Sequence, residues 1–180
     1  NARRRVHAGA ASVAAPPAVH SDMPLVTSGP LKHFQIPDYD GNSVVNMLAS
    51  VIRSRGGRSP HAELEGLPGS LLRPARNVIY LVLDGLGEEQ LARHVRAGRG
   101  RQFLAVHLRR TVSTVFPATT AAAVTTFATG AVPAEHGVLG WHLHLPDLGM
   151  VSTILPAITR TGTPLAPPEF DLHRYLRLPS

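Results

Sequence analysis

Val78-Ile79-Tyr80-Leu81-Val82-Leu83 is a continuous apolar run of strand length, and Asp84-Gly85-Leu86-Gly87 follows it at once. An uninterrupted run, unlike an alternating one, predicts a strand covered on both faces, as in a parallel sheet. Glu88, Glu89 and Gln90 then open a helix that continues through Leu91, Ala92 and Val95 and closes near Gly98 and Gly100. A second strand is expected within residues 110–115, ended by Phe116-Pro117. Thr119 to Ala128 reads as an Ala-rich helix, with Gly130 just past its end. Val132 to Gly137 reads as a loop, and Met150 to Leu155 as a third strand. Strand, helix, strand, helix, strand predicts an α/β domain built on parallel strands.

Upstream of this region the pattern changes. Pro37-Asp38-Tyr39-Asp40-Gly41 is a turn cluster, after which Asn42 or Ser43 can cap a helix. Val44, Val45, Met47, Leu48, Val51 and Ile52 share one face of that helix, and Gly56-Gly57 ends it. Residues 56–76 carry Gly, Pro and Ser and read as a loop. Residues 1–30 are rich in Ala, Pro and Arg, lack helical or strand periodicity, and are expected to form a disordered tail. The expected organisation is therefore a tail over 1–30, a helix and loop over 31–76, and part of an α/β domain over 77–180.

Composition excludes several classes. The chain has 180 residues and no Cys, which removes disulfide scaffolds, Cys-ligated zinc and thiol catalysis. No stretch approaches the ~18 uncharged apolar residues of a membrane span, and no convincing export signal precedes residue 30, so a cytoplasmic location is favoured. The formal charge of +6 comes from 18 basic residues, of which only Lys32 is lysine. The arginines are scattered and no aromatic residues interleave with them as a stacking platform requires, so nucleic acid is an unlikely partner.

Two places can carry chemistry. Asp84 follows the apolar run directly, and ligands of open α/β sheets bind beyond the carboxyl ends of the strands. A carboxylate there, followed by glycines that admit a ligand to the backbone, can hold a cation; the same Asp can equally cap the next turn. In Pro117-Ala118-Thr119-Thr120 a Thr at the first turn of a helix is ordinarily an N-cap. The same position exposes backbone N–H groups that favour an oxyanion, and its hydroxyl becomes a nucleophile once a metal lowers its pKa.

Val82-Leu83-Asp84-Gly85, Phe116-Pro117-Ala118-Thr119-Thr120, Thr129-Gly130 and Pro133-Ala134-Glu135-His136-Gly137 together resemble the alkaline phosphatase superfamily, in its type I phosphodiesterase/nucleotide pyrophosphatase branch. The resemblance covers roughly residues 37 to 165. It implies a parallel-sheet three-layer sandwich, incomplete in this chain. It also implies a metal-bound nucleophilic Thr nine residues before the Thr of the Thr-Gly pair, which selects Thr120, and a metal-ligating Asp, which maps onto Asp84. The implied cofactor is a pair of divalent metal ions, usually zinc, and the implied substrate is a small phosphoester.

The chain departs from that pattern further on. It has no Asp-His dipeptide, and no Asp has a His four residues later; Asp171-Leu172-His173 has the wrong spacing. The remaining ligands of both metals are therefore missing. Leu139-Gly140-Trp141 stands where the branch places an Asn. His136 reads as structural, and His142 and His144 as a solvent-facing pair. The expectation is the N-terminal part of a metal-dependent phosphohydrolase, with Thr120 as nucleophile and Asp84 as ligand, inactive by itself. The alternatives are a non-catalytic α/β remnant and an Arg-rich nucleic-acid-binding protein.

Overall fold

A computed structural model describes residues 25–30, 32, 34–98 and 103–165. Of the tail expected over 1–30, residues 1–24 lie outside these residues, as does the short helix expected over 169–178, while Leu25 forms an antiparallel bridge to Gln35 and Val26 N donates to the Phe34 carbonyl at 3.0 Å. The chain divides into a larger unit, Asp22–Asp84 with Val112–Ser180, and a smaller one that includes Gly85–Thr111.

The larger unit begins with α1, Val44–Ser54. Ser43 caps it: its backbone N–H and its hydroxyl both donate to Asn46 Oδ1, at 3.0 and 2.5 Å. The Asn46 amide then donates to the carbonyls of Tyr39 and Ala62, at 2.8 and 2.9 Å. One buried side chain thus ties the turn before the helix to the loop after it. Gly56, with φ +83°, lets the chain reverse past the helix end. The stretch read as loop contains one helical turn, α2, Gly69–Leu72. A β-carbon on Gly69 would stand 2.7 Å from the Ser50 carbonyl and 2.9 Å from the Ser54 nitrogen, so α2 reaches α1 only because this residue has none. Arg55 donates to the carbonyls of Leu72 and Ala75, both at 2.9 Å, and holds the end of that turn.

The same unit continues with α5, Thr120–Thr129, and α6, Pro133–His136. A small sheet follows, with strands β1, His142–Leu145, β2, Met150–Thr153, and β3, Ile158–Thr159, all antiparallel in the order β1-β2-β3. Two apolar clusters flank α5. Ala121 packs with Val138, Leu145 and Ile154, while Ala122 packs with Val45 and Val115. Neighbouring alanines on one helix therefore face the sheet side and the α1 side, and their small size lets both layers approach the helix start.

The smaller unit contains α3, Glu88–Arg96, and α4, Leu104–His107. Glu88 and Glu89 occupy the first turn of α3, and Arg93, His94 and Arg96 the last, which suits the helix dipole. Among the described residues no helix is long and apolar enough to cross a membrane.

Three expectations are corrected. Residues 78–83 form no strand: the segment has no ladder partner among the described residues, and Ile79 and Leu81 are 92% and 77% exposed. Residues 110–115 contain a single parallel bridge, Ser43 to Ser113, instead of a strand. The third strand ends at Thr153 and pairs antiparallel with β1 across the short turn Pro146–Leu148. The physical reason is common to all three. An apolar run defines what can be buried, whereas a strand exists only where another backbone supplies its hydrogen bonds. Antiparallel pairing across a four-residue connection closes a short loop, while parallel pairing needs a long crossover. The described chain thus contains mixed helices and a small antiparallel sheet.

Candidate active site

The segment leading into α5 is held from one side by the turn that precedes α1. Ser113 N donates to the Asn42 carbonyl at 2.9 Å, and Val44 N donates to the Ser113 carbonyl at 3.0 Å. The Ser113 hydroxyl accepts the Asp38 N–H at 2.9 Å and donates to the Asn42 carbonyl at 3.1 Å. Further along, Phe116 N donates to Tyr39 Oη at 3.0 Å. The Phe116–Pro117 peptide is cis, and the chain turns there into the helix.

Thr119 is the N-cap of α5. Its hydroxyl accepts the Ala122 N–H at 3.2 Å and donates to the Leu139 carbonyl at 3.0 Å. Both of its hydrogen-bonding roles are therefore filled by protein. Thr120, the first helical residue, is exposed, and among the described residues its hydroxyl has no partner. Ala123 N is bonded to the Thr119 carbonyl at 3.0 Å, but the N–H groups of Thr120 and Ala121 have no acceptor among the described residues. A free hydroxyl thus stands beside two free donors at a helix N-terminus, an arrangement suited to an anionic oxygen.

The far side of the site is built by 132–139. Glu135 accepts the Val132 N–H at 2.9 Å and meets His61 Nε2 at 3.0 Å. Gly137, with φ +75°, turns the chain after α6. His136 is 1% exposed. Its Nδ1 accepts the Val138 N–H at 3.1 Å, so that nitrogen carries a lone pair and the ring proton sits on Nε2, 3.1 Å from Thr126 Oγ1. Burial lowers its pKa, opposed by the Ala122 backbone and the Glu135 charge. His136 is thus structural, as the sequence suggests, and it joins the Pro133–Gly137 motif to the middle of α5. His142 and His144 are both exposed on β1, and His142 Nδ1 lies 3.0 Å from Thr153 Oγ1. Sequence reasoning did not identify Tyr39 and Ser113 as supports of this site. No local signal marks them, because their partners lie more than seventy residues away.

Asp84 is exposed in the turn after the apolar run, and among the described residues no hydrogen bond links it to Thr120. The run touches α5 at one point: the Tyr80 ring meets the Phe127 ring edge-on, with centroids 5.8 Å apart. Among the described residues no group of three or more His, Asp or Glu could hold a metal ion. One carboxylate and one hydroxyl are too few ligands for a metal pair, so the described residues do not fit a two-metal centre.

With this geometry in view, the comparisons with known proteins are specific. Residues 78–154 match the family model of type I phosphodiesterase / nucleotide pyrophosphatase, a partial match consistent with the alkaline phosphatase superfamily. It runs from the apolar run through Asp84, the cap of α5 and the Pro133–Gly137 motif to the end of β2. No curated protein and no solved structure matches the chain.

Proposed function

We propose that this chain carries the nucleophile-bearing part of a phosphodiesterase or nucleotide pyrophosphatase-like phosphohydrolase, with Thr120 as nucleophile. The observation that carries the reading is the free Thr120 hydroxyl beside the free N–H groups of Thr120 and Ala121, next to a Thr119 hydroxyl that is fully engaged. In this reading Thr120 Oγ1 loses its proton and bonds to phosphorus as the P–O bond to the leaving alcohol breaks, the alcohol departing with a proton, and water later cleaves the phosphothreonine P–O bond and restores the hydroxyl. The two N–H groups receive the phosphoryl oxygen on which charge accumulates. The substrate is a small phosphoester.

The proposal extends to the fold and the cofactor. In this reading residues 77–180 are the first part of an alkaline phosphatase-type α/β domain whose parallel sheet would be completed only by strands outside the described residues, preceded by a helix and loop over 31–76 and a tail over 1–30. The cofactor this reading calls for is a pair of divalent metal ions, taken as zinc; Asp84 would supply one carboxylate, and ligands outside the described residues would have to supply the rest. Such ions lower the pKa of a bound hydroxyl and take up charge on phosphoryl oxygens.

The test uses the 180-residue chain and a longer chain that carries the missing Asp and His ligands. The short chain should leave a chromogenic phosphodiester unhydrolysed. The longer one should hydrolyse it in a zinc-dependent manner and lose turnover by at least about 10³-fold in Thr120→Ala, since loss of a nucleophile costs more than loss of a single oxyanion donor. Turnover near wild type in a folded, metal-loaded Thr120→Ala enzyme would return Thr120 to the role of a helix-start residue. A longer chain with no turnover at all would favour the non-catalytic remnant.

A further inference from the structure

His136 sits where three elements meet, and its two ring nitrogens do different work. Nδ1 accepts the Val138 N–H, while Nε2 faces Thr126 Oγ1 on α5. Two residues past Gly137, the Leu139 carbonyl receives the Thr119 hydroxyl that caps α5. The 137–139 segment is thus held at one end by the neutral imidazole and holds the helix cap at the other. Protonation at Nδ1 places a hydrogen where the Val138 N–H now points, so that bond cannot survive the charged form.

The surroundings offer that charge little. On the side of α5 the ring meets Thr126 and the Ala122 backbone, and α5 carries no ionisable residue. Val138, next to the ring, lies in the apolar cluster with Ala121, Leu145 and Ile154. Among the described residues the carboxylate whose charge reaches the ring is Glu135, on the same short helix, already paired with His61 and the Val132 N–H. Burial accordingly lowers the His136 pKa.

We infer that His136 is a proton-operated latch on the start of α5: neutral, it fixes the 137–139 segment and through Leu139 the Thr119 cap; protonated, it releases both. The latch stands on geometry alone, and its bearing on reactivity at Thr120 rests on the proposed function. His136 is then a positioning residue whose protonation state regulates the site from within the fold.

The experiment needs no turnover and so separates the latch from that reading. Nitrogen and amide NMR spectra of the 180-residue chain are recorded from about pH 7.5 down to about pH 4.5, a window chosen to span the ordinary His range. Near neutrality the ring should be the Nε2–H tautomer. As His136 takes up its proton, the Val138 amide should lose at least about tenfold of its exchange protection after correction for intrinsic rate. The Thr119 and Thr120 amides should shift with the same midpoint. His136→Asn keeps an acceptor for Val138 that cannot be protonated, and the transition should vanish. His61→Asn, which removes the other histidine beside Glu135, should leave it in place. Titration of the His136 ring without movement of Val138 and Thr119 would overturn the latch, as would the same transition in His136→Asn. Should His136→Asn not fold, the wild-type ring decides: an Nδ1–H tautomer or a charged ring near neutrality overturns the proposal.

Discussion

The Thr119 hydroxyl donates to the Leu139 carbonyl at 3.0 Å while accepting the Ala122 N–H at 3.2 Å. A helix cap usually serves its own helix; this one also ties the helix start to the turn after α6. Thr119→Ala removes both bonds. It should cost about 1 kcal/mol for the cap and about 1 kcal/mol for the bond to Leu139. Thr119→Ser, which keeps the hydroxyl, should stay within about 0.5 kcal/mol of wild type. Urea unfolding of the two variants checks both values.

Asn46 should be the least replaceable polar residue of the larger unit. Its Oδ1 accepts from the Ser43 backbone and hydroxyl, and its Nδ2 donates to the Tyr39 and Ala62 carbonyls. Asn46→Ala strands buried groups on both sides, and each unsatisfied one costs about 1–3 kcal/mol. The expected loss is about 3 kcal/mol or more, measured by chemical denaturation. Asn46→Asp should also destabilise, because two donors become acceptors that face carbonyl oxygens.

Tyr39→Phe isolates one bond at the entrance to the site. The ring remains packed beside Val45, Val115 and Ala122, while the Phe116 N–H loses its acceptor, Tyr39 Oη. Water can reach this N–H, so the loss should be only about 0.5–1 kcal/mol. Amide exchange should rise at Phe116 and leave the α1 amides unchanged. Equal acceleration throughout α1 would show that Tyr39 acts as core, not as a brace.

The parts of this molecule that were legible in the sequence are those with local causes. Ser43 and the Gly56-Gly57 pair bound α1, Glu88 and Gly98 bracket α3, and Thr119 and Gly130 bracket α5, because caps and left-handed glycines act within a few residues. Of the three strands read from the sequence only the one starting at Met150 formed, ending at Thr153 and pairing antiparallel. Val78 to Leu83 has the composition of a buried strand, yet only Tyr80 is seen to dock, on Phe127, while Ile79 and Leu81 face solvent. Pairing depends on a partner backbone, and apolar content carries no record of one. The site divides the same way: the Thr119-Thr120 pair was visible, but which hydroxyl is free depends on Leu139, and the brace from Tyr39 spans 77 residues.

Gly130 should resist substitution for two reasons. Its φ is +73°, and a β-carbon there would stand 2.8 Å from Ile52 Cδ1. The left-handed conformation alone costs a non-glycine residue roughly 1–2 kcal/mol. Ile52 Cδ1 is the end of a side chain and can swing aside, so the clash should add little. Gly130→Ala should therefore lose about 1–2 kcal/mol in thermal or chemical unfolding. Gly130→Asn, a residue that tolerates this region, should lose less.

The last prediction concerns the alkaline limb of stability. Partial burial of Tyr80, which remains 36% exposed, raises its phenol from 10.0 to about 12. The folded chain therefore holds this proton more tightly than the unfolded chain does. Stability from the neutral phenol is fully present below pH 10 and is lost as pH rises from there through about 12. A spectrophotometric titration should show a phenol step well above the ordinary tyrosine range of about 10. Tyr80→Phe keeps the edge contact and removes the ionisable group, so it should abolish the late step and flatten the alkaline loss of stability. A late step that survived in Tyr80→Phe would belong to another tyrosine. The contact of the apolar run with α5 would then need a separate measure, such as exchange at Phe127.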